Sequence, residues 1–292
     1  MPVTVSPLHP LLGAVCSGID ISEPPRARDI AAIETGMDRH AVLVFHHATP
    51  LTTEQQIAFT RGFGDLEPPY TEIRAAGGVR LGDLALSDIS NLDVDDQILA
   101  RDDRKRLSGL GNRLWHSDSS YKAIPARYSL LNAHVVPPEG GDTQFADMRA
   151  AYDALDARTR SRIDDLVCEH SLIHSKGALG LSYTDAELRA YAPVRQRLVR
   201  THPGTGRKSL FLASHAGRIE GLPDPEARML LRHLMEHATQ REFVFSHSWR
   251  VGDLVMWDNR TTMHRARAFE DSVHKRDMRR TTTTDGMPTI SG

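Results

Sequence analysis

The feature that most constrains the fold is a series of short β-rich runs in the second half of the chain, separated by turn sequences. The runs are ARYSLLNAHVV, RLVRTH, SLFLASHA, REFVFSHSW, LVMWD and DMRRTTTT, and the turns include PPEGGD, PGTGRK and RVGD. Two amphipathic stretches, DMRAAYDALDARTRSRIDDL and DPEARMLLRHLMEHATQ, interrupt the series and are predicted to be helical. Because strands and helices do not alternate regularly, the pattern favours an antiparallel sandwich or jelly-roll core with flanking helices over a doubly wound sheet.

The first quarter is predicted to form one α/β unit. The sequence ARDIAAIETGMDRH has the apolar spacing of a helix, AVLVF is typical of a buried strand, and LTTEQQIAFTRGFG predicts a second helix. Thr52 or Thr53 would cap that second helix, and Gly62 or Gly64 would end it. The chain shows no internal repeat or clear linker, so residues 1–292 are predicted to form a single domain.

Residues 68–111 are irregular and contain AAGGVRLGD and the charge run DDQILARDDRKR. Two interpretations stay open for this segment. It is either an active-site loop next to the bound ligand or a solvated surface segment.

The charge balance argues against nucleic acid or an anionic membrane as the partner. The chain has 36 Lys and Arg residues against 38 Asp and Glu residues, a formal net charge of -2, so no bulk basic field is present. A small molecule is the predicted partner. Cys16 and Cys168 form no CxxC pair and are too few for a disulfide framework, which fits a reducing compartment.

The N-terminal sequence MPVTVSPLHPLLGAVCSGID predicts neither a signal peptide nor an anchor, because it lacks a cationic start and is interrupted by Pro7 and Pro10. Other apolar runs, such as AVLVF, are far shorter than the roughly 20 residues that span a bilayer. The predicted localisation is cytoplasmic.

The stretch LWHSDSSYKAIPARY places His116 and Asp118 two positions apart. In an extended segment, residues i and i+2 point to one face, so the two side chains could bind one cation together. Two histidines and one carboxylate in a facial arrangement are the ligands associated with non-heme Fe(II) oxygenases. The pair alone is weak evidence, because roughly two such pairs arise by chance among 15 His and 38 acidic residues.

A candidate third ligand, His264, follows the predicted strand LVMWD and a Trp-Asp-Asn turn. Beyond it, an extended KRDMRRTTTT segment would place Arg276, Met278 and Arg280 on one face and Lys275 on the other. A guanidinium can bind a carboxylate through two hydrogen bonds, so a metal beside two arginines would suit a dicarboxylate cosubstrate and an anionic substrate. The alternative interpretation is a solvated basic edge strand.

Six motifs occur in the order WHSDSS, PPEGGDTQFADMRAAYDAL, THPGTGRKSLF, IEGLP, EHATQREFVFSHSWRVGDLVMWDNRTTMHR and RRTTT. In this order they resemble the Fe(II)/2-oxoglutarate-dependent dioxygenases of the taurine dioxygenase family. The resemblance extends from PLHPL near the N-terminus to RRTTT near the C-terminus, and within the family it is greatest to the enzymes that act on 2,4-dichlorophenoxyacetate. It implies a mostly β fold with flanking helices around a double-stranded β-helix (jelly-roll) core, and a homo-oligomer.

The resemblance implies roles at particular positions. His116, Asp118 and His264 match the family's iron ligands, which makes Fe(II) the expected metal. Thr143, in GGDT, and Arg276 match the residues that hold the far carboxylate of 2-oxoglutarate, the cosubstrate whose keto-acid end binds the iron.

Three further positions are expected to contact the prime substrate. Arg280 matches the arginine that binds its anionic group. Asn91, in DISNL, and His215, in ASHAG, lie where the family lines the substrate pocket. Trp115 and Trp257 are expected to pack around the site.

The chain departs from the family pattern in two places. The segment between His264 and Arg276 is one residue longer than in the phenoxyacetate enzymes, so the choice of Arg276 over Lys275 depends on the alignment of the following RR and on strand parity. Where those enzymes have a lysine near the substrate carboxylate, this chain has Glu72, with Arg74 two positions later. The roles of Glu72 and Arg74 stay open.

The implied reaction consumes 2-oxoglutarate and O2 and hydroxylates the ether-adjacent carbon of an aryloxyacetate such as 2,4-dichlorophenoxyacetate. It releases a phenol and glyoxylate with succinate and CO2, and its substrate is a small anionic aromatic molecule. A taurine or other sulfonate dioxygenase is an alternative, because Arg280 would bind a sulfonate equally well. Two further alternatives are a zinc hydrolase and a non-catalytic jelly-roll binding protein. A zinc hydrolase would not use Thr143 or Arg276, and a binding protein would show no turnover.

Overall fold

A computed structural model describes residues 2–68, 80–177 and 179–290. The helices within these ranges are α1 Ala27–His40, α2 Thr53–Arg61, α3 Arg104–Gly109, α4 Met148–Asp153, α5 Ala157–Ile163, α6 Leu172–Gly177, α7 Asp185–Ala190 and α8 Asp224–Ala238. The strands are β1 Thr4–Pro7, β2 Ala14–Ser17, β3 Val42–Phe45, β4 Ser87–Asp88, β5 Ala126–Val135, β6 Thr143–Asp147, β7 Val167–His170, β8 Val194–Arg197, β9 Val199–Thr201, β10 Lys208–Leu210, β11 Ala216–Ile219, β12 Val244–His247, β13 Leu254–Asp258, β14 Thr262–Ala266 and β15 Asp277–Thr284. No described helix has the length and apolar composition needed to cross a membrane.

The two predicted helices of the first quarter are present. Helix α1 buries Ile33 and Met37 on one face and ends where Ala41 enters the left-handed region, with φ 57° and its N–H bonded to the Met37 carbonyl. Helix α2 begins after Thr52, whose side chain accepts from the Gln55 N–H while the Gln55 side chain accepts from the Thr52 N–H. This reciprocal pair satisfies two otherwise free donors, so the cap is the first of the two expected threonines.

Two sheets form the centre of the fold. The larger has the strand order β1-β2-β3-β13-β5-β15-β4, and the smaller has the order β12-β6-β14. Their pairs are antiparallel except for β2 with β3. One face of the larger sheet packs on the smaller sheet, where Trp257 of β13 contacts Phe145 of β6 with ring centroids 5.6 Å apart. The chain is therefore mostly β in its core, as its sequence pattern predicts.

Helices cover the outer face of the larger sheet. Phe59 of α2 and Met37 of α1 pack with Phe45, Leu130 and Met256 in one buried cluster. A second helical layer, formed by α4, α5 and α8, packs against strands of two small sheets, ordered β11-β7-β8 and β10-β9. Because both faces of the larger sheet are buried, β13 has a continuous run of apolar residues rather than an alternating pattern.

The long helical stretch predicted over 147–166 is interrupted. Helix α4 ends at Asp153, and α5 begins after Asp156, whose side chain accepts from the Thr159 N–H at 3.0 Å. An aspartate that caps a new helix competes with continuation of the preceding one. The prediction of helix was correct, but that of a single helix was wrong.

Two of the predicted strands are also divided. The run RLVRTH includes the end of β8 and the whole of β9, with Leu198 buried between them. The run SLFLASHA contains most of β10 and only the first residue of β11. Single-sequence patterns locate apolar runs but not the hydrogen-bond partners that end a strand.

The segment 68–111 is more regular than its sequence suggests in the part that the structure describes, residues 80–111. It contains β4, which pairs with Arg279 and Arg280 of β15, and the short helix α3. Glu72 and Arg74 lie outside the described residues.

The buried carboxylate of Asp258 stabilises the tight turn between β13 and β14. Arg260 donates to both of its oxygens, at 2.9 and 2.6 Å, and the His202 ring nitrogen lies 3.1 Å away. Burial raises the pKa of Asp258, but Arg260 and His202 more than offset this and hold that pKa far below its usual range. The turn thus leads into β14 with a fixed geometry.

We expect Asp258→Asn to lower the free energy of unfolding by about 3 kcal/mol, because it leaves a buried guanidinium without its anion. Thermal and urea unfolding measure this loss. The matched control is Glu236→Gln, which breaks the exposed pair with Arg232 on α8 and should change stability within measurement error. Equal stability of the two variants would contradict the structural role given to Asp258.

Candidate active site

A backbone bridge brings two distant histidines together. The His116 N–H donates to the His264 carbonyl at 3.0 Å, and the His264 N–H donates to the His116 carbonyl at 2.8 Å. His264 lies in β14, which is paired to β6 of the smaller sheet. The two imidazole rings, with centroids 4.2 Å apart, therefore sit side by side at the edge of that sheet.

Asp118 completes a cluster with these histidines. The ligand atoms of His116, Asp118 and His264 all lie within 4.8 Å of one another, and all three residues are buried. Each histidine Nε2 is 3.8 Å from one oxygen of the Asp118 carboxylate. Among the described residues, this is the group of His, Cys, Asp and Glu side chains that could hold a metal ion.

The protonation states suit a metal site. Burial lowers the pKa of His116, and burial together with repulsion from His116 lowers that of His264 well below its ordinary value. Burial raises the pKa of Asp118, but the charge of Arg280 and the hydrogen bond from Ser129 hold it well below its usual range. Neutral imidazoles and an ionised carboxylate are the forms that bind a divalent metal.

Neighbouring side chains fix the Asp118 carboxylate. Asn259 accepts the Asp118 backbone N–H at 3.0 Å and the Trp257 indole N–H at 3.1 Å. Its amide donates at 2.9 Å to Ser129, whose hydroxyl donates at 2.8 Å to Asp118 Oδ2. Neither Ser129 nor Asn259 is among the site residues that the sequence predicts. The Trp-Asp-Asn turn before His264 is the signal that points to Asn259, whereas nothing in the sequence points to Ser129.

The donor set fits an oxygenase-type metal. His116 Nδ1 lies 2.8 Å from the Leu114 carbonyl, which fixes the tautomer whose Nε2 lone pair faces the cluster. Two imidazole nitrogens and one carboxylate satisfy one face of a metal and leave further positions for small ligands.

Arg276 lies at the cavity beside this cluster, immediately before β15. Its Nη2 donates to the Gly141 carbonyl at 3.3 Å, and its buried Nε has no hydrogen-bond partner among the described residues. A Cβ on Gly141, at φ +72°, would meet Pro137 at 2.9 Å and Arg276 Nε at 3.4 Å. Burial lowers the pKa of Arg276 to about 10, opposed by Asp142. Gly141 therefore leaves space around the buried Arg276 guanidinium, whose Nε has no hydrogen-bond partner among the described residues. Lys275, the alternative, is exposed.

Thr143 lies two residues beyond Gly141, at the start of β6. The indole N–H of Trp249 donates to Thr143 Oγ1 at 3.0 Å. An indole nitrogen can only donate, so the Thr143 oxygen accepts here and its own hydrogen is left to donate elsewhere. The sequence alone does not predict a role for Trp249, because its packing beside Thr143 depends on the fold.

The structure gives the three expected substrate contacts different surroundings. The Arg280 guanidinium donates to Asp118 Oδ1. His215 faces the cavity next to His116, with Nδ1 3.0 Å from Ser120 Oγ. Asn91 also borders the cavity, but its amide donates to the carbonyls of Asp271 and His274.

The Asn91 carbonyl oxygen accepts the backbone N–H of Arg276 at 2.8 Å. Its side chain therefore holds the backbone that carries Arg276. The two tryptophans pack as expected: Trp257 lies 4.7 Å from the His264 ring, and the Arg265 guanidinium lies 4.6 Å over Trp115.

A cavity of about 380 Å³ adjoins the cluster. The predicted residues that line it are Asn91, His116, Asp118, His215, Arg276 and Arg280. Apolar and aromatic side chains form other parts of its wall: Ile89, Leu110, Leu114, Tyr121, Leu172, Tyr191 and Phe269. A mixed cavity of this size, lined by cations as well as apolar and aromatic side chains, suits a small amphipathic anion.

A family model described as taurine catabolism dioxygenase TauD, TfdA family, matches residues 4–282. An alpha-ketoglutarate-dependent 2,4-dichlorophenoxyacetate dioxygenase from Cupriavidus pinatubonensis is 49% identical over 286 residues, covering 98% of this chain and 99% of that protein. A protein of the same name from a Burkholderia species is 45% identical over 284 residues, covering 97% and 95%.

Solved structures give the same similarity. The crystal structure of AAD-2 in complex with Mn(II) and N-oxalylglycine has a TM-score of 0.91 and 50% identity, and the match covers 100% of both chains. The crystal structure of a taurine dioxygenase from Burkholderia xenovorans has a TM-score of 0.78 and 30% identity, covering 99% of this chain and 93% of that one.

We expect His264→Ala to weaken Mn(II) binding at least about 100-fold, because loss of a direct ligand exceeds the 10- to 100-fold effect typical of supporting residues. Calorimetric titration with Mn(II) measures the affinity without turnover. His215→Ala is the matched control, since it removes a buried imidazole next to His116 that is outside the cluster, and it should bind Mn(II) like the unmodified protein. Undiminished binding by His264→Ala would refute the metal site.

Proposed function

Because the chain belongs to the TauD/TfdA dioxygenase family, we propose that it is an Fe(II)- and 2-oxoglutarate-dependent enzyme that hydroxylates aryloxyacetates at the carbon beside the ether oxygen. The main support for this proposal is that one cavity adjoins the two-histidine, one-carboxylate cluster and is lined by two arginines and by aromatic side chains. The identity of 49% to a 2,4-dichlorophenoxyacetate dioxygenase, against 30% to a solved taurine dioxygenase, supports the aryloxyacetate over the sulfonate.

In this proposal His116, Asp118 and His264 hold the iron. The bound metal, with 2-oxoglutarate and O2, supplies the oxidation: one oxygen atom enters succinate as CO2 is lost, and the other replaces a C–H bond of the substrate by C–OH. Ser129 and Asn259 orient the Asp118 carboxylate through the hydrogen bonds that reach its side chain and backbone. They would keep the Asp118 ligand in place when a metal is bound.

The far carboxylate of 2-oxoglutarate is assigned to Arg276 and Thr143. Arg276 presents a buried, unpaired Nε, and the Thr143 hydroxyl is left free to donate by the Trp249 N–H. Asn91 supports this site indirectly through the backbone of Arg276.

The substrate carboxylate is assigned to Arg280, and the aromatic ring to the apolar wall. Arg280 lies next to Asp118, so a carboxylate bound there holds the adjacent methylene close to the metal site. Hydroxylation of that methylene gives a hemiacetal, which collapses to a phenol and glyoxylate. His215 borders the same space and is proposed to contact the substrate.

We further propose that the two packed sheets are the double-stranded β-helix (jelly-roll) core of a single domain spanning residues 1–292, acting as a cytoplasmic homo-oligomer. The described part of the 68–111 segment supports its assignment to the active site rather than to the solvated surface, because Ser87, Asn91 and Lys105 line the cavity.

The function is tested by loading the protein with Fe(II) and 2-oxoglutarate without oxygen, then admitting air with 2,4-dichlorophenoxyacetate or taurine. We expect 2,4-dichlorophenol, glyoxylate and succinate in equal amounts from the first substrate. Sulfite from taurine instead would assign the sulfonate reaction. Absence of substrate-stimulated succinate with either compound would refute both substrate assignments.

We expect Trp249→Phe to raise the KM for 2-oxoglutarate about threefold to tenfold, because it removes the neutral hydrogen bond that orients the Thr143 hydroxyl and such bonds contribute roughly 1 kcal/mol. Initial rates of succinate formation measure this change. The affinity for Mn(II) should stay the same, since Trp249 does not contact the metal cluster. An unchanged KM would show that Trp249 does not position Thr143.

A further inference from the structure

Lys176 is a cation of the cavity wall that the roles proposed above do not use. It lies on α6, Leu172–Gly177, and lines the same cavity as Arg280 and Asp118. Its Nζ donates to the hydroxyl of Ser108 on α3. The ammonium is therefore fixed between two helices on the helical side of the cavity, while Arg280 belongs to the sheet.

Three other cations that line the cavity have acidic partners, unlike Lys176. Lys105 is paired with Asp88 at 2.8 Å, and Arg106 and Arg113 are both paired with Asp271.

Among the described residues, Lys176 has no acidic group within 4.0 Å, and its hydrogen-bond partner is the neutral hydroxyl of Ser108. Burial, with repulsion from Arg280 and Arg104, lowers the pKa of Lys176 to about 8. A partly buried ammonium without an anion is unfavourable unless a bound ligand supplies the charge.

Arg280 alone offers an incomplete site for a carboxylate. Its guanidinium already donates to Asp118 through Nη1. Part of its hydrogen-bonding capacity is therefore used within the protein, which leaves fewer donors for a substrate carboxylate. A second cation that reaches the substrate from α6 adds donors without competing for Asp118.

We infer that Lys176 is a second anchor for the carboxylate of the prime substrate, reaching it from α6 while Arg280 reaches it from β15. This inference rests on the proposed function and adds a residue that determines specificity for anionic substrates. Two cations, one from a helix and one from a strand, fix both the position and the direction of the carboxylate. The ring of the substrate is then directed along the apolar wall.

The test compares an acid with its neutral analogue. The protein is loaded with Mn(II) and N-oxalylglycine, which permit no turnover, and titrated by calorimetry with 2,4-dichlorophenoxyacetate and with 2,4-dichlorophenoxyacetamide. We expect Lys176→Met to weaken binding of the acid by roughly 10- to 100-fold, the effect of one charge-assisted hydrogen bond. Binding of the amide should stay nearly unchanged, and Lys176→Arg should retain most of the affinity for the acid.

Lys105→Met is the matched control, because Lys105 lines the same wall but is already paired with Asp88. It should not alter the ratio of the two affinities. Lys176→Gln keeps a donor to Ser108 and gives the same comparison if the Met variant does not fold. The affinity for N-oxalylglycine, measured first, reports any general damage to the site.

Two results would overturn the inference while the proposed function stands. One is an unchanged affinity of Lys176→Met for the acid. The other is an equal loss for the acid and the amide, which would mean that Lys176 only supports the helices. If the unmodified protein binds no aryloxyacetate at all, the proposed function fails, and the role of Lys176 fails with it.

Discussion

The pair of backbone hydrogen bonds between His116 and His264 is the constraint on which the site depends. It fastens the segment that carries His116 and Asp118 to β14, a strand of the smaller sheet. Because β14 follows the Asp258 turn at the end of β13, the packing of the two sheets sets where the ligand atoms meet. His116 and Asp118 lie in a segment outside the helices and strands, and its backbone hydrogen bonds to β14 hold these two ligands next to His264.

Burial and neighbouring charges together determine the protonation states of the residues in the cavity. Asp118 stays ionised in a buried place because Arg280 and the Ser129 hydroxyl donate to it, and the neutral histidines leave their nitrogens available to a metal. Arg276 and Lys176 have no acidic partner among the described residues and bind a carbonyl and a hydroxyl instead. In the proposed function, a dicarboxylate cosubstrate and an anionic substrate supply the missing negative charges at separate positions.

The sequence predicts the fold where the signal is local and predicts less where it depends on packing. Strands β13 and β15 and helix α1 occupy the residues that their apolar patterns indicate. The break at Asp156 was missed, because a capping aspartate looks like any surface acid in a periodic stretch. Asn91 lines the cavity, as expected of a pocket residue, and its amide also binds backbone, which its position in the sequence does not indicate. Ser129 and Lys176 reach the site only through tertiary packing, so no spacing rule could find them.

A crystal structure of the protein with Mn(II), N-oxalylglycine and 2,4-dichlorophenoxyacetate would test the central claim most directly. The account predicts the metal on His116, Asp118 and His264, and the substrate carboxylate between Arg280 and Lys176 with its ether methylene nearest the metal. A metal held elsewhere, or a substrate bound with its carboxylate directed away from both cations, would contradict it.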